Sequence, residues 1–267
     1  MKTHLLIIDP QNDFCEKNGA LYVAGAEDDM KRLSNFIDKY NDKINGISVT
    51  FDIHSPFHIA TPVFWVDSDG CNPKPFTIIK KEDVLSGKYK ASVKEYELLA
   101  KNYVIKLDEN GRYDLTIWPP HCIAGSCGFG IYKELYDSLN NYSNKNYNKI
   151  EYLFKNINAF SEQYSILRSD VSLVEEENAL IKSSLIRMIN NSDIIFISGE
   201  ALSHCVANSI LDISYYISRD LSKFVLLKDT CSNVCGFEHL GESFLKKAQS
   251  FGMKVSTTLE CGVYFNE

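Results

Sequence analysis

The stretch DIIFISGEALSHCVANSILDISYYIS, residues 193–218, changes character partway along. Its first seven residues form a near-continuous apolar run, the pattern of a strand buried on both faces. From Leu202 onward the apolar residues return at helical spacing. A buried strand that runs straight into a helix is the repeating joint of a parallel sheet, because parallel neighbours need a long crossover between them.

The same joint recurs along the chain. THLLIID (3–9), INGISVTFD (44–52), KIEYLFK (149–155) and KFVLLKD (223–229) read as further buried strands. AEDDMKRLSNFIDKYND (26–42), LVEEENALIKSSLIRMIN (173–190) and HLGESFLKKAQSFG (239–252) carry the helical period between or after them. The expected fold is therefore α/β: three layers, α/β/α, around a mainly parallel sheet. Residues 62–117 break the rhythm with Gly70, Pro73, Pro75 and a lysine-rich patch, and read as an insertion over the sheet edge with a short helix at 92–102. The Asn- and Tyr-dense run 140–148 reads as a solvated loop. Residues 1–267 are expected to form one domain.

Composition narrows the function classes. The chain has 267 residues, 45% of them hydrophobic, enough for a full core. A net charge of −7 gives no electrostatic footprint for nucleic acid and disfavours an anionic membrane. The apolar run in MKTHLLIIDPQNDF is too short for a signal segment, and no stretch reaches the roughly eighteen apolar residues of a membrane span. A cytoplasmic location is expected. There the eight cysteines would stay reduced, and their spacings do not match paired zinc-ribbon ligands.

In an open α/β sheet, ligands bind beyond the carboxyl ends of the strands. Asp9, Asp52 and Lys155 end the first three strand runs, with His54 just beyond the second and Cys205 just past the fourth. Cys205 falls in the first turn of its helix, where unpaired backbone N–H groups and the helix dipole stabilise a thiolate. Asp9 would accept the thiol proton, and Lys155 would hold Asp9 ionised. The plain alternatives are a buried structural thiol, a turn-forming aspartate before Pro10 and a solvated strand-end lysine. DIHSPFH (52–58) and WPPHC (118–122) form a second constellation. Asp52, His54 and His121 make a carboxylate and two imidazoles, a donor set for Zn2+, Fe2+ or Mn2+. His58 is a further ligand or an outer partner.

Taken together, these motifs resemble the nicotinamidase branch of the isochorismatase-like cysteine hydrolases over most of the chain outside the insertion. IIDPQNDF resembles that family's first-strand signature, FDIHSPFH its Asp-Trp-His-Pro-x-x-His segment, and WPPHCIAGSCG its Trp-Pro-x-His-Cys run. FKNINAFSEQYSIL resembles the stretch that carries the catalytic lysine, with Asn156 standing where the family has glycine. SGEALSHCV departs most, with Glu200 at an apolar position and Leu202 at a threonine position.

The resemblance implies a metal-containing amidohydrolase that converts nicotinamide to nicotinic acid and ammonia, with Asp9, Lys155 and Cys205 as its catalytic residues. It also implies a cis peptide at Glu200–Ala201, an oxyanion hole from the Ala201 and Cys205 amides, and a divalent metal, zinc foremost, on Asp52, His54 and His121. Phe14 and Trp65 are the candidates for contact with the substrate ring. Family members commonly self-associate, so a homo-oligomer is an expectation by analogy. The rival readings are another hydrolase of the superfamily acting on a different small amide, or a catalytically silent binding relative.

Overall fold

The computed structural model describes residues 1–172 and 179–265. In chain order the helices and strands are β1 (Thr3–Ile8), α1 (Asn12–Cys15), α2 (Ala26–Lys39), β2 (Gly46–Asp52), β3 (Trp65–Asp67), β4 (Ile78–Ile79), α3 (Lys81–Leu85), β5 (Tyr89–Ala91), α4 (Glu97–Asn110) and β6 (Leu115–Thr116). The second half holds α5 (Lys133–Asn146), β7 (Glu151–Lys155), α6 (Ala179–Asn191), β8 (Ile194–Gly199), α7 (Ala207–Tyr216), β9 (Phe224–Leu227), α8 (Glu238–Ser250) and β10 (Lys254–Ser256).

Six strands form one parallel sheet in the order β10-β9-β8-β1-β2-β7. All five strand runs expected from the sequence are in it, and β10 is an addition. Its three residues make too short a run to stand out. The chain steps one way from β1 to β2 to β7, then returns and steps the other way from β8 to β9 to β10. Right-handed crossovers put α2 and α5 on one face, and α6, α7 and α8 on the other. The contacts agree: α2 packs on α5, and α7 on α8. The order reverses between β1 and β8, so the crevice for a ligand opens at their carboxyl ends. Asp9 and the turn that carries Cys205 lie there.

Residues 62–117 add no strand to this sheet. They form two antiparallel ribbons, β3 with β5 and β4 with β6, together with α3 and α4. The helix expected at 92–102 runs instead from Glu97 to Asn110. The first six residues of the helix expected at 173–190 lie outside the described residues, and the rest of it is α6.

The loop expected at 140–148 is a correction. Most of it is the second half of α5, which buries Leu135, Ser138, Leu139 and Tyr142 at helical spacing. The Asn- and Tyr-rich composition mostly marks the polar face of that helix, whose apolar stripe starts before residue 140. The Tyr142 hydroxyl donates to Ile44 O (3.1 Å), and the Asn146 side chain donates to Asn41 O (3.0 Å), which fastens the helix end to the α2–β2 loop.

Candidate active site

β2 and β7 pair in register so that Asp52 faces Lys155 at their last residues. Gln11, just past β1, clamps the end of β2: its side chain accepts from Asp52 N (2.7 Å) and donates to Asp52 O (2.9 Å). Asp9 follows β1 directly with φ of 44°, and Thr50 on β2 donates to its Oδ1 at 2.5 Å. Three strand ends thus bring two carboxylates and an ammonium together, all at most 4% exposed.

Lys155 Nζ lies 3.0 Å from Asp9 Oδ2, 3.2 Å from Asp52 Oδ1, 2.9 Å from Gln163 O and 3.6 Å from Cys205 Sγ. Burial works against its charge, but Asp52 and Asp9 outweigh it and hold the lysine well above its ordinary value. Lys149, the other lysine near this strand, is exposed.

Cys205 sits in the turn Leu202–Val206, which is wound as a π-helix before α7 begins. It lies beside the Asp9–Lys155 ion pair, with Lys155 Nζ 3.6 Å from its sulfur. The helix start was expected to favour a standing thiolate, but burial dominates. It pushes the thiol well above its ordinary value, and Lys155 pulls the other way. Burial also raises Asp9, with Lys155 opposing. The resting Cys205 thiol is therefore neutral, with the Asp9–Lys155 pair beside it.

The peptide Glu200–Ala201 is cis. Among the described residues no acceptor pairs with the Ala201 N–H. Glu200 is fully buried and does not line the pocket. Its Oε2 accepts from Ser232 N (3.1 Å), and burial beside Asp29 raises its carboxyl well above the ordinary range. It fastens the Cys205 turn to the loop after β9, where Leu202 N also donates to Ser232 O (2.8 Å).

Cys205 and Ala201 line a small, partly enclosed cavity. Asp52, His121 and Glu162 make it polar at one end, while Phe14, Leu21, Trp118, Tyr164, His204 and Val234 make the rest apolar and aromatic. The Trp118 indole donates to Tyr164 OH (2.9 Å). His204 is boxed between Tyr113, Trp118, Tyr164 and Phe237, and burial lowers it to about 4, so it is a neutral wall residue. Phe14 lines the cavity and packs on His121 with ring centroids 5.4 Å apart. Trp65 does not line it. Its indole donates to Ile59 O (2.6 Å) and its ring packs on Phe64, so the tryptophan of the wall is Trp118.

The donor chemistry at the polar end accommodates a divalent metal. His121 Nδ1 is 2.8 Å from Pro119 O, which makes it the N–H and leaves the Nε2 lone pair free. That Nε2 lies 3.6 Å from Asp52 Oδ2, and His54 Nδ1, buried and without a hydrogen-bond partner, lies 3.6 Å from the same oxygen. Bonds of 2.0–2.2 Å to a tetrahedral ion separate ligand atoms by about 3.4 Å, so this spacing suits one.

A second cluster, His54, His58 and Glu162, suits a metal less well. His58 Nδ1 accepts from Ala60 N–H (3.2 Å), and burial lowers the ring to about 4. In that neutral ring Nε2 carries the proton and is a donor, not a ligand.

Glu162 and His204 do not stand out in the sequence, and Asn156 does so only as a departure from the family's glycine. Glu162 and His204 stand beside quoted motif residues, but nothing local separates them from structural neighbours. Asn156 has φ of 64°, in the left-handed region that asparagine tolerates. Its Nδ2 reaches 2.7 Å from His54 Nε2, 2.7 Å from Glu162 Oε1 and 3.1 Å from Asp52 Oδ1.

No known family model and no curated protein matches the chain. Its fold, a parallel sheet with its crevice at the β1–β8 switch point, is that of solved nicotinamidase and pyrazinamidase structures. The yeast nicotinamidase Pnc1p bound to the inhibitor nicotinaldehyde aligns over 96% of this chain and 99% of its own, with 17% identity and a TM-score of 0.64. The Acinetobacter baumanii nicotinamidase/pyrazinamidase aligns over 97% of both chains at 18% identity and a TM-score of 0.63. The Pyrococcus horikoshii pyrazinamidase in complex with zinc aligns over 96% of this chain and 99% of its own, at 18% identity and a TM-score of 0.55. Among the described residues no helix is long and apolar enough to cross a membrane.

Proposed function

We propose that the chain is a nicotinamidase-like cysteine amidohydrolase, which cleaves nicotinamide to nicotinic acid and ammonia. The observation that carries this reading is the buried contact set of Asp9, Lys155 and Cys205 at the end of a small aromatic cavity. The nicotinaldehyde-bound yeast structure, with the same fold, supports the substrate class. Other hydrolases of this superfamily that act on anionic substrates would need a cation in the pocket. Among the described residues no lysine or arginine lines this one, while two carboxylates do, so a neutral aromatic amide fits better.

Asp9 takes the Cys205 proton as sulfur attacks the carboxamide carbon. Lys155 keeps Asp9 ionised until then. The carbonyl oxygen becomes an oxyanion held by the Ala201 and Cys205 amides. As the C–N bond breaks, Asp9 returns the proton to nitrogen and ammonia leaves, with a thioester on Cys205. Asp9 then deprotonates a water that attacks the thioester, the acid departs, and the thiol regains its proton.

Asp52, His54 and His121 would hold a divalent ion, zinc being the one present in the Pyrococcus neighbour. Such an ion would bind the substrate's ring nitrogen and ordered water, fixing its orientation. Phe14, Trp118 and His204 would sandwich the ring.

Ammonia release from nicotinamide tests the reading. Wild type is expected to turn over, and Cys205→Ala to lose at least about a thousandfold in kcat/KM. Absence of turnover on nicotinamide and pyrazinamide would refute the substrate, and an active Cys205→Ala would refute the mechanism.

A further inference from the structure

Asn156 stands at the meeting point of three acceptors from two parts of the chain: Asp52 Oδ1 at 3.1 Å, His54 Nε2 at 2.7 Å and Glu162 Oε1 at 2.7 Å. The side chain must point its nitrogen inward, because the reverse orientation would set a carbonyl oxygen 2.7 Å from the Glu162 carboxylate. A primary amide has two hydrogens, so three acceptors oversubscribe it. Its own Oδ1 is buried with no hydrogen-bond partner, and so is Glu162 Oε2. Acceptors that converge on a donor too small for them are the arrangement that a cation satisfies better.

The bond to His54 has a further chemical result. A neutral imidazole carries one proton, and if Nε2 accepts from Asn156 that proton is on Nδ1. Nδ1 is the nitrogen that faces Asp52 Oδ2 and the His121 Nε2 lone pair. While the amide bond stands, His54 offers the centre an N–H instead of a lone pair. Metal binding through Nδ1 must move that proton to Nε2 and break the Asn156 bond. Without the amide, an Nε2–H would face Glu162 Oε1, 3.6 Å away, and complete a carboxylate–histidine–metal arrangement.

We propose that Asn156 is a brake on metal loading: its side-chain amide holds His54 in the tautomer that turns an N–H toward the centre, and holds Glu162 back from supporting His54. The proposal rests on the reading of Asp52, His54 and His121 as a metal centre. It assigns Asn156 a positioning role that acts through His54, not a role in the reaction.

Zinc affinity of the chelator-stripped full chain, titrated against a chromophoric chelator, tests this without reference to turnover. Asn156→Gly suits φ of 64° and removes the amide; Asn156→Asp keeps the shape and tolerates that φ but turns the donor into an acceptor. Both are expected to bind Zn2+ at least about tenfold more tightly than wild type, the scale of outer-shell effects on metal affinity. Adding Glu162→Gln to Asn156→Gly is expected to remove most of the gain. If one variant fails to fold, the other carries the comparison. Zinc binding by the variants but not by wild type supports the proposal in its strongest form. Equal or weaker binding by the variants overturns it and leaves the metal centre standing. Absence of binding by all three overturns it together with the metal reading.

Discussion

The strands β1, β2 and β7 carry polar clusters at both ends, and the two clusters are built on opposite principles. At the amino end, His4, Ser48 and Glu151 meet Ser184 and Arg187 of α6 beside an open groove. Ser48 and Ser184 each donate to Glu151, Arg187 lies 3.3 Å away, and Ser48 is also 2.9 Å from His4 Nε2. Each of these side chains has a partner, and water reaches the rim. At the carboxyl end, Asp9, Asp52 and Lys155 are sealed from solvent, and His54 Nδ1, Asn156 Oδ1 and Glu162 Oε2 are left without hydrogen-bond partners. A satisfied network stabilises a fold. Buried polar atoms left unpaired cost free energy that the fold must offset elsewhere, and such groups collect where a ligand is to complete them.

The largest effect expected to test this contrast is on stability. Lys155→Met leaves Asp9 and Asp52 as uncompensated buried charges, and should cost about 3–5 kcal/mol in urea denaturation as well as turnover. A loss under about 1 kcal/mol would mean that the carboxyl-end cluster is no more demanding than the amino-end one.

Next comes acid sensitivity. His204 in the cavity wall and His4 at the opposite end are both lowered by burial to about 4. The unfolded chain takes up each of these protons near pH 6.5, while the native state refuses them until about pH 4. Stability is therefore complete above pH 6.5 and falls as pH drops toward 4, by roughly 3 kcal/mol for a fully buried histidine such as His204. His204→Phe should reduce the proton uptake on unfolding at pH 5 by about one. An unchanged slope would show that His204 is not held neutral in the native state.

The smallest effect belongs to the satisfied network. Glu151→Gln keeps the acceptor of one serine and turns an NH2 donor toward the other, and should cost about 1 kcal/mol while leaving kcat/KM on nicotinamide within twofold. A collapse of activity would erase the distinction between the two ends.

Much of the architecture was legible because burial on both faces forces a run of apolar residues. The five longer strands declare themselves that way, and β10, with three residues, does not. Helix α5 was misread in its second half because a polar face viewed over nine residues resembles a loop, while the stripe of Leu135, Leu139 and Tyr142 that marks it spans the boundary. The candidate catalytic residues were legible for a similar reason: charges that end apolar strands stand out against them. Trp65 and Trp118 could not be told apart locally, since each is a buried aromatic beside polar neighbours; only packing sets Trp118 against the cavity.

By itself the sequence determined the layered α/β fold and placed Asp9, Asp52, Lys155 and Cys205 at strand ends, because strand periodicity and strand ends are local properties of a chain. The tertiary structure alone decided the strand order that brings those ends together, the neutral state of the Cys205 thiol, and the meeting of Asn156 and Glu162 with His54. Those outcomes depend on desolvation and on distances between groups as much as a hundred residues apart, which no local pattern encodes.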